Sequence, residues 1–120
     1  DTRTRDRIAR AEIDLMALEM LLLRVASDGS GRPPGPESSV LKLRGSELQQ
    51  DLAMLQMEIA GPQAWPFDPA WLSAGSARPG DGPAWAAPAT GTYFDMRKTS
   101  IYGGATEVQK TIISKMILGL

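Results

Sequence analysis

The sequence predicts an all-α protein, an up-down helical bundle. Three observations carry that expectation. Apolar residues recur at steps of three and four in three separate segments. No segment alternates apolar and polar residues as a half-buried strand would. Glycine and proline gather between the apolar segments, where helices must stop.

The first segment predicts a helix over about 3–27. Ile8, Ala11, Leu15, Leu18, Leu22 and Val25 form one stripe along it. Met16, Met20, Leu21 and Leu23 widen the stripe, so this helix is apolar over more than one face and calls for more than one neighbour. The run Ser27-Asp28-Gly29-Ser30-Gly31-Arg32-Pro33-Pro34-Gly35 is a stop and a loop.

Pro36 and Glu37 open the second helix, expected over 36–60. Proline is tolerated in a first turn, and an acid there offsets the positive end of the helix. Leu41, Leu48, Leu52, Leu55 and Ile59 mark its inner stripe, with Gly45 completing the series. A glycine inside a helix costs about 1 kcal/mol against alanine. Either a close neighbour compensates that cost, or Gly45 is a plain surface position.

Gly61 and Pro62 end this helix. Residues 61–92 are rich in Pro, Gly, Ala and Ser and hold Trp65, Trp71 and Trp85, with room for one short turn around Pro69–Ala74. A loop of this length is functional or poorly ordered. Three tryptophans argue against pure disorder, and they are expected to clamp the loop onto the helices or onto another chain. A short helix follows over about 93–99, with Met96 on its inner side. The last helix, expected over 105–118, carries Val108, Ile112, Ile113, Met116, Ile117 and Leu120.

The join between these last two helices is the most specific feature. Gly103 and Gly104 free the backbone for a tight turn. The chain then enters a helix whose first amides have no partner within it. Thr106 and Gln109 have the spacing of a capping box.

Composition narrows the function classes. At 120 residues the chain is one domain or less, able to bury roughly two thirds of its unfolded surface. Its net charge of -1 offers no basic footprint for nucleic acid. Without cysteine or histidine there is no disulfide, no thiolate chemistry, no Ser–His pair and no ordinary zinc site. No apolar run reaches the roughly 18 residues of a membrane span, and the opening residues do not resemble a secretory leader. The chain opens on Asp1, so it is expected to be a fragment, a processed product or the ordered part of something longer, with a complete small domain that has lost its start Met as the alternative. Met16, Met20, Met54, Met57, Met96 and Met116 read as core filler.

Residues 97–120, RKTSIYGGATEVQKTIISKMILGL, resemble the closing segment of the acyl-CoA dehydrogenase family, in particular bacterial members with a Tyr-Gly-Gly turn and a Leu-Gly-Leu end. Upstream, residues 35–43 and Ser46-Glu47-Leu48 resemble the family's next-to-last long helix, and Asp6 to Arg24 the one before it. The likeness runs in order along the chain, except over the Trp-rich loop. It implies a C-terminal helical domain of a flavoenzyme whose N-terminal helical domain, middle β-barrel domain and one further helix lie before Asp1.

What the resemblance implies about chemistry is an FAD-dependent desaturation of an acyl-CoA thioester at its α and β carbons, with an electron-transfer flavoprotein as acceptor. It further implies a homotetramer built as a dimer of dimers, in the bacterial cytoplasm. In one branch the base that takes the α proton is a glutamate directly after the tyrosine of this turn. Here that position is Gly103, so no catalytic residue is assigned within the chain. In other branches the base sits on an earlier helix. Gly104 matches a substrate-contacting position, and Ala105, Thr106 and Glu107 match cofactor-contacting ones. Ala105 stands where many members have threonine, which removes one hydroxyl. Glu107 is read as a partner of the helix dipole rather than a base.

The end of the second helix, Glu58-Ile59-Ala60-Gly61-Pro62, resembles a stretch that faces FAD in many members. Gly61 and Glu58 are accordingly further cofactor candidates, although family members have glutamine and a second glycine where this chain has Glu58 and Pro62. Two plainer alternatives stand beside this reading. One is a non-catalytic helical interaction module that uses the turn as a contact surface. The other is a catalytically silent subunit of a hetero-oligomer.

Overall fold

The computed structural model describes residues 1–27, 31, 35–65, 85, 86 and 88–120. Among them the regular structure is all helix, with no strand. Helix α1 spans Thr2–Ala26, α2 Pro36–Ala60, α3 Ala89–Met96 and α4 Thr106–Ile113. Short 3-10 turns cover Gly61–Ala64 and Arg97–Ser100, and α4 widens into a π-helical turn over Ser114–Leu118. The segment around Trp71, including the turn expected at Pro69–Ala74, lies outside the described residues.

The chain divides into two compact units, one of Asp1–Gln49 with Lys98–Leu120, the other of Gln50–Arg97. In the first, Asp1 caps α1, its Oδ1 accepting from the Arg3 amide at 3.0 Å. Not one residue of α1 is buried. Ile13, Met16, Met20 and Leu23 are all at least 60% exposed, so the broad apolar face has no cover among the described residues. An Arg44–Asp14 contact at 3.6 Å joins α2 to α1, and Arg44 also pairs with Glu47 at 2.9 Å. These partners are all exposed, so each pair contributes little.

Polar groups organise the buried part of this unit. Ser39, Ser46, Thr99 and Gln109 are buried, as is Leu48. A buried hydroxyl or amide needs a partner, and Ser46 Oγ finds two, the carbonyls of Lys42 and Leu43, both at 2.9 Å. Lys42 Nζ donates to the Thr99 carbonyl at 2.9 Å. Thr99 Oγ1 donates to the Ser46 carbonyl at 3.5 Å. The strand of chain that leads into the glycine turn is thereby tied to α2.

Small residues fill the second unit: Ala53, Ala86, Ala89 and Thr90 are buried together with Leu55. Gln50 and Arg97 clasp each other. Gln50 Nε2 donates to the carbonyls of Met96 at 3.2 Å and Arg97 at 3.4 Å. Arg97 Nη2 donates back to the Gln50 carbonyl at 3.1 Å. The Arg97 guanidinium also lies over the Tyr93 ring, 4.5 Å from its centre, and Tyr93 meets Phe94 edge-on at 5.4 Å.

Several expectations are corrected. Leu52 and Ile59 share the sequence stripe of Leu48 and Leu55 but stand exposed. At half-buried Gly45 a Cβ would meet open space, so no close neighbour among the described residues compensates for the glycine. Trp65 and Trp85 are exposed rather than clamped onto the described helices. The helix expected from Tyr93 begins earlier, at Ala89, and tightens to a 3-10 turn at Arg97.

Candidate functional site

The glycine turn is shaped from both sides. Upstream, the amides of Ile101 and Tyr102 both donate to the Lys98 carbonyl, at 2.9 and 3.1 Å. Gly103 and Gly104 then take φ of +66° and +100°. A side chain is strained at either value, and the second lies beyond the left-handed well that asparagine or aspartate can occupy. Ala105 returns to extended backbone, with φ -60° and ψ 154°, and is the N-cap of α4.

That position of the N-cap overturns the capping box. Ala105 has no side-chain oxygen, and no side chain caps α4. Thr106 is already the first helical residue; its Oγ1 donates backward to the Ser100 carbonyl at 3.4 Å. Gln109 is one residue too late to be the reciprocal partner of a cap. Its backbone amide closes the first helical turn onto the Ala105 carbonyl at 3.0 Å. Its side chain is buried and folds back over the glycines, Nε2 donating to the Gly103 carbonyl at 3.5 Å.

The turn therefore exposes main-chain donors. The amides of Thr106, Glu107 and Val108 precede the first internal bond of α4 and are met by no described side chain. Where a Cβ would stand on Gly103 there is nothing within 4 Å, so this side of the turn is open. Gly104 differs: a Cβ there would run into the Gln109 carboxamide. Such a surface of free N–H groups at the positive end of a helix suits an anionic or carbonyl-bearing ligand. Glu107 places a carboxylate in the same first turn, exposed to solvent.

Glu58 and Gly61 belong to the second unit. Gly61 has φ +65° and stops α2 in the left-handed conformation, with open space where a Cβ would be. Glu58 is exposed in the last turn of α2, which holds no basic residue. A carboxylate and the carbonyl end of a helix are both negative, so this place does not favour a phosphate. Pro62 removes one amide donor from the stretch.

Sequence reasoning brought out the glycine pair but not the residues that hold it. Lys42 and Thr99 reach the turn's approach through a bond across 57 residues, which no local pattern marks. Gln109 was visible at a helix start, but its partner was not. No group of acidic residues among those described is arranged to hold a metal ion, and none of the described helices is long and apolar enough to cross a membrane.

A search of curated proteins and of solved structures gives no significant match to the chain. A family model does match it: the acyl-CoA dehydrogenase C-terminal domain, over residues 1–118. The match takes in both long helices, the glycine turn and α4, leaving out only Gly119 and Leu120. The chain belongs to the acyl-CoA dehydrogenase family, as its C-terminal domain.

Proposed function

We propose that this domain is part of an FAD-dependent enzyme that desaturates an acyl-CoA thioester between its α and β carbons. The observation that carries the reading is the uncapped start of α4 behind two left-handed glycines. It offers main-chain donors on an open side of the turn. Residues of this kind fit a flavin and a thioester. Gly104 binds the thioester end, where the absence of a side chain lets the ligand approach the backbone. Thr106 and Glu107 hold the cofactor through the amides of the first helical turn, and Ala105 through the N-cap position just before it.

Gly61 offers a second open stretch of backbone for the cofactor. Glu58, an acceptor only, suits the cofactor's hydroxyl and amino donors and not its pyrophosphate. When bound, FAD supplies the two-electron sink for the reaction. Gly103 has no group that can take the α proton, so in this reading the base sits on an earlier helix of the same domain. The apolar faces of α1 and of the last turn contribute a subunit interface, in keeping with a homotetramer arranged as a dimer of dimers. Cytoplasmic enzyme and electron-transfer flavoprotein complete the picture.

The test is on the full-length protein. It is expected to be yellow as purified and to reduce an artificial electron acceptor with some member of an acyl-CoA panel. Substituting Gly104→Val is expected to abolish turnover. A colourless protein without activity on any acyl-CoA would refute the reading. Gly103 specifically favours one alternative, a catalytically silent subunit. That alternative predicts bound flavin with no turnover in the homo-oligomer and turnover on adding a second subunit type.

A further inference from the structure

Gln109 has no role in the reading above, yet its buried side chain touches both glycines of the turn. We propose that Gln109 is the positioning residue of the glycine turn: it grips the Gly103–Gly104 peptide and aims the Gly104 N–H at the ligand. The inference rests on the flavoenzyme reading for what that ligand is.

Two separate contacts support the grip. Nε2 donates to the Gly103 carbonyl at 3.5 Å. The same carboxamide occupies the space beside the Gly104 Cα where a side chain would otherwise begin. Among the described residues every peptide bond is trans, and in a trans peptide the C=O and the following N–H point in opposite directions. Anchoring the Gly103 carbonyl on Gln109 therefore turns the Gly104 N–H away from Gln109. No acceptor among the described residues meets that N–H.

The arrangement needs an anchor. Two glycines in succession can rotate their shared peptide with little steric resistance. A flipped peptide would present a carbonyl oxygen where the ligand needs a donor, replacing attraction by repulsion. Gln109 favours one of these two orientations. It is carried by α4, whose first internal bond it also makes, and it is 8% exposed. A carboxamide at this place thus ties turn geometry to a formed helix.

The experiment compares Gln109→Met and Gln109→Glu with the parent full-length protein. Methionine keeps the length and helix preference but has no donor; glutamate keeps the shape and can only accept. Hydrogen exchange of the peptide spanning 101–109 is followed by mass spectrometry in flavin-free protein. Steady-state kinetics and flavin affinity are followed in the holoprotein. Losing a hydrogen bond as long as 3.5 Å, at the weak end of the range, predicts about two- to threefold faster exchange in the turn and a comparable fall in kcat, with KM little changed. Lys110→Ala, on the exposed side of α4, is the control.

Unchanged exchange in both variants overturns the grip. Faster exchange with unaltered kcat and flavin affinity, in a parent enzyme that is active, overturns the positioning role. If Gln109→Met does not fold, Gln109→Glu carries the same comparison. A parent protein without flavin or turnover refutes the flavoenzyme reading and with it the aim at a ligand, while exchange in the variants still decides the grip.

Discussion

Replacing Gly104 by alanine should cost much more than replacing Gly103, although both glycines lie at positive φ. At Gly103 the penalty is conformational only. A residue with a Cβ loses about 1–2 kcal/mol in the left-handed region, and nothing stands within 4 Å of the new methyl group. At Gly104 the same kind of penalty applies at φ +100°, and the methyl group also displaces the Gln109 carboxamide. That displacement breaks the bond to the Gly103 carbonyl, worth about 0.5–1.5 kcal/mol, and exposes a buried amide. The sum is about 2–4 kcal/mol for Gly104→Ala against about 1–2 kcal/mol for Gly103→Ala.

Denaturant unfolding of the full-length variants measures both values, provided the transition remains two-state. A double-mutant cycle isolates the contact. In a Gln109→Ala background the obstruction is gone, so Gly104→Ala should lose about 1 kcal/mol of its cost, the size expected for residues in contact. Equal costs for the two glycines, or strict additivity of Gly104→Ala and Gln109→Ala, would refute the geometry.

Three more perturbations follow from the packing. Lys42→Met removes a charged donor from the Thr99 carbonyl and should destabilise by about 1.5–3 kcal/mol in urea unfolding; a change within 0.5 kcal/mol would show that this bond does not hold the turn's approach. Arg97→Lys keeps the charge but loses the planar fork that covers Tyr93 and reaches the Gln50 carbonyl. It should cost about 1–2 kcal/mol, checked by thermal melting together with Tyr93→Leu, whose effect should be smaller in the lysine background. Met20→Glu falls on the uncovered face of α1, which the proposed homotetramer would use as an interface, so the fold itself should lose no more than about 0.5 kcal/mol. Sedimentation of the full-length protein should nonetheless show a smaller assembly, and an unchanged one would place the subunit interface elsewhere.

The helices were legible because amphipathic spacing, Gly/Pro stops and first-turn acids are local properties, written within a few residues of where they act. The stripe over 41–59 needs no partner to be recognised, and neither does the glycine pair. Local pattern does not say which part of a stripe is covered. Leu48 and Leu55 are buried while Leu52 and Ile59 are not, because burial depends on which chain segment passes over that point. Family membership was also legible, carried by the ordered likeness of the tail and both long helices and supported by the match over 1–118.

By itself the sequence determined an all-α chain and two glycines before the last helix, since these depend on residue identity and short-range spacing. Only the tertiary structure decided that Ala105 stands at the N-cap position of α4 without capping it, that Thr106 bonds backward to Ser100, and that the Gln109 side chain reaches the Gly103 carbonyl instead of completing a capping box. The physical reason is range. A shift of one residue in where a helix starts swaps every capping partner, and the chain that leads into this turn is held by a bond, Lys42 to Thr99, between residues far apart along the sequence.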